Sequence, residues 1–170
     1  MWEPEIIKPD VELGNTYTPC NVVMADKMYR RDSHNSFVYD PKKNKWETDE
    51  MLNSKKWLWA CVIDDVLYYH DLVENSLITY DPKKRCWGMV NGLQNLLAKT
   101  RGSELLKTVN YGRKLALFFH KGEVGTVEIW CAEISLERRE RGEILGKVEC
   151  CDQFMLDGDF YLEKSVAVML

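Results

Sequence analysis

Tyr39-Asp40-Pro41-Lys42-Lys43-Asn44-Lys45-Trp46 returns forty-one residues later as Tyr80-Asp81-Pro82-Lys83-Lys84-Arg85-Cys86-Trp87, with two of its eight positions changed. Self-similarity at a period of about 40 to 50 residues marks either a helical array or the four-stranded blades of a propeller. The residues around the two copies decide for blades. In each, a β-rich run (Ser36-Phe37-Val38-Tyr39, then Leu77-Ile78-Thr79-Tyr80) stops at Asp-Pro, where proline fixes φ and withdraws a donor, and a second strand starts at the tryptophan. The turn has the right chemistry: Asp40 and Asp81 can accept from the backbone two residues on, the prolines pre-set the first corner, and the lysines stay in water.

Reading backwards from that hairpin gives the rest of the unit. Asn21 to Tyr29 and Ala60 to Tyr68 each run apolar, then acidic, then apolar. Val22–Met24 and Ala60–Ile63 are nearly continuous apolar stretches, which predicts innermost strands buried on both faces. Ala25-Asp26-Lys27 and Asp64-Asp65 are the turns, and Met28-Tyr29 and Leu67-Tyr68-Tyr69 open the second strands.

A more degenerate unit follows in Thr108–Phe119, Thr126–Ile134 and Glu143–Glu149, where the charged segment 135–142 replaces the Asp-Pro turn and predicts an extended loop closed by Gly142. Between the second and third units, Leu93, Leu96 and Leu97 fall on one helical face, predicting a short surface helix as an insertion. The expected organisation is all-β: a remnant outer strand and link over 2–20, blades over 21–50 and 57–90, a helical or loop insertion over 91–107, a degenerate blade over 108–150, and a terminal strand over 160–170.

Those residues resemble a known family. The spacing of Val62-Ile63-Asp64, Leu67-Tyr68 and Tyr80-Asp81-Pro82 through Trp87 is similar to the kelch repeat. The tail, Asn110-Tyr111-Gly112-Arg113-Lys114-Leu115, Glu128–Arg139 and Gly146–Glu149, resembles the C-terminal end of plant F-box/kelch-repeat proteins. The glycine pair that usually ends the second kelch strand is replaced by Arg30-Arg31, His70-Asp71 and His120-Lys121. The resemblance implies an incomplete kelch-type β-propeller of about three four-stranded blades plus a stray strand. It also implies a protein–protein interaction module like the substrate-recognition kelch region of an F-box ubiquitin-ligase subunit. The chain opens on Met1-Trp2-Glu3-Pro4 without the helical F-box, so binding to the adaptor of the cullin ubiquitin ligase is not expected, and a competing or non-functional fragment is the alternative. About four to eight blades close a propeller, so three are expected to leave apolar edges, Glu163–Leu170 among them, and a tendency to self-associate.

Composition sets further bounds. An apolar share of 45% and a net charge of −4, with no window long enough to span a membrane and no signal-peptide pattern at Met1, predict a cytoplasmic or nuclear chain whose partner is an unknown target protein. No membrane is expected as a partner. Six cysteines at irregular spacing, without Cys-x-x-Cys, indicate neither zinc nor a disulfide framework; Cys61 and Cys131 read as small buried hydrophobes. His34, His70 and His120 fall on successive blades, a blade width apart, which disfavours a metal site. The same spacing disfavours the other-class alternative, a galactose-oxidase-like kelch enzyme. Asp64-Asp65 matches Ala25-Asp26 at the same turn, so turn chemistry accounts for it better than catalysis does. The lysine pairs and Arg138-Arg139-Glu140-Arg141 are interleaved with acids, as in a solvated hairpin rather than a nucleic-acid surface. No catalytic residue, cofactor or metal is therefore expected.

Trp46, Trp87 and Trp130 are expected to seal one blade on the next. Trp57 and Trp59 flank Leu58 in the link between the first two blades and, in an extended segment, would show both rings on one face. By analogy with kelch propellers, links and second-to-third-strand loops share the partner-binding face. This gives Arg30, Arg31, His34, Asn35, Trp57, Asp71, Glu74, Asn75, Lys121 and Glu123 as candidate contacts.

Overall fold

A computed structural model describes residues 20–103, 106–121 and 128–155. The expectations for Trp2, for Glu123 and for the strand near the C-terminus lie outside those residues.

Among the described residues, twelve strands and two short helices follow the repeat. The first unit is an antiparallel meander of β1 (Cys20–Met24), β2 (Lys27–Arg31), β3 (Ser36–Asp40) and β4 (Lys45–Thr48). A link containing α1 (Glu50–Asn53) leads to β5 (Cys61–Ile63), β6 (Val66–Asp71), β7 (Ser76–Asp81) and β8 (Cys86–Asn91). Helix α2 (Gln94–Thr100) then leads to β9 (Leu106–Tyr111), β10 (Lys114–Lys121), β11 (Glu128–Arg138) and β12 (Ile144–Met155). The inner hairpins turn through paired left-handed residues, with φ of 49° and 60° at Ala25-Asp26, 49° and 61° at Asp64-Asp65, and 56° and 68° at Gly112-Arg113. Two positive φ values in a row match the right-handed twist of the flanking strands, which explains the short polar pairs there. The outer hairpins repeat as well: Asp40 Oδ1 accepts from Lys42 N at 3.0 Å, and Asp81 Oδ1 from Lys83 N at 2.9 Å and Lys84 N at 3.2 Å. Asn44 and Arg85 sit at φ 47° and 50° at equivalent positions. The octapeptide thus specifies one turn twice.

Burial by strand differs from the expectation. Strands β6 and β7 of the middle unit are the most fully covered on both faces; innermost β5 also meets both cores, with Cys61 and Ile63 in one and Val62 packed on the other, whereas innermost β1 is not covered on both faces. Alternate side chains of β6 and β7 enter the two cores. Val66, Tyr68 and Leu77 face a cluster with Leu115, Leu117, Phe119 and Ile134 of the third unit. Leu67, Tyr69, Ile78 and Tyr80 face a second cluster with Met24, Tyr29 and Val38 of the first. The middle unit is the filling between two layers, and each fully buried side chain there contributes about 1.5–3 kcal/mol. Val23 on β1, by contrast, is 67% exposed.

Segment 135–142 also departs from expectation. Strand β11 extends to Arg138, and only residues 139–143 form the loop. Gly142 closes it at φ 79°, its N–H donating to Arg139 O at 2.9 Å. The added strand length lets Arg138 Nη2 donate to Ile63 O at 3.3 Å and to Asp64 O at 2.8 Å, clamping the third unit to the inner turn of the second.

The second and third units are not merely stacked. Outer strand β12 pairs in parallel with outer strand β8 (Ile144↔Val90, Leu145↔Asn91), giving one eight-stranded sheet in the order β5-β6-β7-β8-β12-β11-β10-β9. Equivalent strands of successive repeats run the same way, so their meeting is parallel. At the sheet's other end Thr108 N donates to Trp59 O at 3.1 Å, which brings β9 beside the entry to β5.

Candidate functional site

In an up-and-down unit the first-to-second and third-to-fourth turns emerge on one face, and the second-to-third loops and the links emerge on the other. The loop-and-link face is built on a shared framework. Asp32 Oδ1 accepts from His34 N at 2.8 Å and from Asn35 N at 2.6 Å. Asp71 Oδ1 accepts from Val73 N at 2.9 Å and from Glu74 N at 3.0 Å, while Tyr69 Oη donates to Asp71 Oδ2 at 3.0 Å. Burial alone would raise the Asp71 carboxyl, but the Glu74 N–H, the Tyr69 hydroxyl and the Val73 N–H outweigh it and hold the group below the usual carboxylate range.

The link is pinned inside. Asp49 caps α1, accepting from Met51 N at 2.9 Å and Leu52 N at 3.2 Å. Trp87 Nε1 donates to Met51 O at 2.8 Å and to Ser54 Oγ at 3.1 Å, so this tryptophan does join two units. Trp46 instead pairs within its own unit, with Tyr39 (centroids 5.2 Å), whereas Trp130, 6.3 Å from Phe119 of its own unit, also packs on the core shared by the second and third units.

Between the first two units this face opens into a cleft of about 680 Å³ lined by Ser33, Lys55, Lys56, Trp59 and His70, with the β6–β7 turn Asp71–Glu74 as its far wall. Lys55 pairs with Glu74 at 3.1 Å. The His70 ring is held by Asn75: the Asn75 amide nitrogen donates to Leu97 O at 2.7 Å, so its Oδ1, 2.9 Å from His70 Nε2, is the acceptor and Nε2 carries the proton. His70 Nδ1 has no hydrogen-bond partner among the described residues, and burial pushes the imidazole below its ordinary range.

The ten sequence candidates divide. Arg30, His34, Asn35 and Glu74 are exposed, and Asp71, Asn75 and Lys121 are half-buried, Asn75 being committed to α2 and Lys121 lying 5.8 Å over the Trp130 ring. Two candidates are corrected. Arg31 is 2% exposed, with Nη1 donating to Ser36 Oγ at 3.0 Å, because odd positions of β2 face the core. Trp57 is fully buried, and its Nε1 donates to the same oxygen at 3.0 Å. The pairing of Trp57 with Trp59 on one face fails because the link is not extended: Trp59 sits at φ 51°, which turns its ring outward to 37% exposure. Leu72, Val73, Lys55 and Lys56 were missed. The available signal was the apolar pair Leu72-Val73 inside a turn whose first-unit counterpart reads Ser33-His34.

Repeated four-stranded antiparallel units packed on shared cores, the second and third joined through β8 and β12, with repeated turns on one face and irregular loops on the other, define an interaction scaffold of the β-propeller type. The chain belongs to the kelch-repeat family: residues 1–155 match the model described as "FKB95, Kelch-repeats domain". It is 50% identical, over its whole length, to the F-box/kelch-repeat protein At4g38940 of Arabidopsis thaliana, covering 44% of that protein. It is 39% identical to the F-box/kelch-repeat protein At4g39240 of the same plant over 86% of the chain and 38% of the relative. The chain spans less than half the length of these relatives.

Proposed function

We propose that this chain is the target-recognition module of a ubiquitin-ligase subunit, acting in the cytoplasm or nucleus and holding a protein target on its loop-and-link face. The observation that supports this reading is the contrast between the two faces. One presents the same Asp-Pro-Lys-Lys turn in two units with the same backbone, and strongly hydrated lysines in identical settings discriminate little between targets. The other changes from unit to unit in charge and apolar content and contains the cleft.

Charge reversal on each face tests the assignment. With the chain as bait and a target recovered from Arabidopsis extract, Arg30→Glu and His34→Glu are expected to weaken binding about tenfold or more, whereas Lys42→Glu and Lys83→Glu leave it within about twofold. All four side chains are exposed, so thermal melts should not move. Loss confined to the lysine variants places the target on the opposite face.

A further inference from the structure

Resting on that recognition-face reading, we propose that the cleft between the first two units takes an extended segment of the target. One apolar side chain of the segment is buried against Trp59, Leu72 and Val73, and a neighbouring carboxylate meets Lys56. The first two units supply an internal comparison. Their second-to-third-strand turns share one framework, an aspartate accepting two N–H groups of the turn, Asp32 in the first and Asp71 in the second. The first unit fills the tip with Ser33 and His34, so the turn itself does not require apolar residues. In the second unit the tip is Leu72, 56% exposed, and Val73, 95% exposed, held rigidly because Asp71 is locked a second time by Tyr69. Two large aliphatic side chains on a backbone-pinned turn and a part-exposed tryptophan, lining one cleft, form an apolar contact surface prepared before binding.

The charge balance gives the second half of the partner's chemistry. Four formally charged side chains line the cleft: Lys55, Lys56, Asp71 and Glu74. Lys55 and Glu74 neutralise each other at 3.1 Å, and both oxygens of Asp71 are occupied by Val73 N, Glu74 N and Tyr69 Oη. The four formal charges sum to zero, but both Asp71 oxygens are taken up by donors of its own strand and turn, whereas Lys56 is exposed with no ion-pair partner among the described residues, so it is the charged group left to meet a carboxylate. His70, neutral beside it, adds no positive charge at neutral pH. An apolar residue next to aspartate or glutamate is the complement.

A random library of displayed peptides, selected on the full chain, is the probe. The expected result is enrichment of sequences with aspartate or glutamate within two residues of a bulky apolar residue. These should bind about tenfold more weakly to the double variant Leu72→Ser/Val73→His, which carries the first unit's tip, and to Lys56→Glu. No peptide binding more tightly than about 100 μM, selected sequences without that pairing, or equal affinity for the tip variant would overturn the proposal. Loss at the tip with Lys56→Glu unchanged removes the carboxylate from it. If Arg30→Glu and His34→Glu weaken the peptides and the tip variant does not, the cleft is wrong while the recognition face stands. Loss confined to Lys42→Glu and Lys83→Glu overturns both.

Discussion

Ser36 shows how single residues hold the loop face. Its hydroxyl oxygen, fully buried, accepts from Arg31 Nη1 and Trp57 Nε1, each at 3.0 Å, and lies 3.5 Å from Leu52 O. Trp57→Ala removes the ring and its hydrogen bond together and is expected to cost about 3–5 kcal/mol in chemical denaturation. Trp59→Ala, outward and half-exposed, should cost about 1 kcal/mol. Equal losses would show that the link is packed otherwise. His70 makes stability depend on pH. An unfolded histidine takes a proton near pH 6.5, whereas the buried ring, with no acceptor among the described residues for a proton on Nδ1, resists it to lower pH. Stability is therefore whole above about pH 6.5 and falls as pH drops from there toward the depressed folded pKa. Denaturation at pH 7.5 and 5.5 should show the chain weaker at the lower pH and the difference reduced in His70→Gln; an unchanged difference would assign it to other groups.

At the scale of elements, the junction of β8 with β12 rests on two glycines. A Cβ at Gly146 would lie 2.7 Å from Val90 Cγ1 and 3.0 Å from Leu93 Cδ2, and one at Gly92 would lie 2.8 Å from Gly146 O, with φ at +85° besides. Gly146→Val is expected to cost about 1–3 kcal/mol by overpacking, read as a lower denaturation midpoint. A midpoint within error of the parent would mean that the two outer strands are not in this contact. This junction was not legible in the sequence, since the repeat describes one unit at a time and says nothing of how outer strands meet. The inner and outer hairpins of the first two units, by contrast, were legible, because Asp-Pro turns and short turns containing aspartate fix local backbone geometry. Burial on both faces was assigned to apolar runs, whereas β6, reading Val66-Leu67-Tyr68-Tyr69-His70, earns it by position in the middle layer. The candidate site was legible as a face and not as a set of residues. A link read as extended put Trp57 outside, and the left-handed turn at Trp59 was beyond any periodicity argument.

For the whole molecule, three four-stranded units share two cores, and the middle one is stabilised from both sides. Four-stranded sheet edges remain at β1 and β4, and β4 guards its edge with Lys45 and Glu47 beside the exposed Trp46. The scaffold holds one face constant, where paired turns repeat, and varies the other, where a rigid apolar tip, an unpaired lysine and a neutral histidine surround a cleft. Hydrogen exchange on the full chain, alone and saturated with its recovered target, reads the two faces in one experiment. Slowed exchange is expected at 32–35, 55–59 and 71–75, with the turns at 41–44 and 82–85 unchanged; protection confined to those lysine turns would put the target on the opposite face and overturn the assignment.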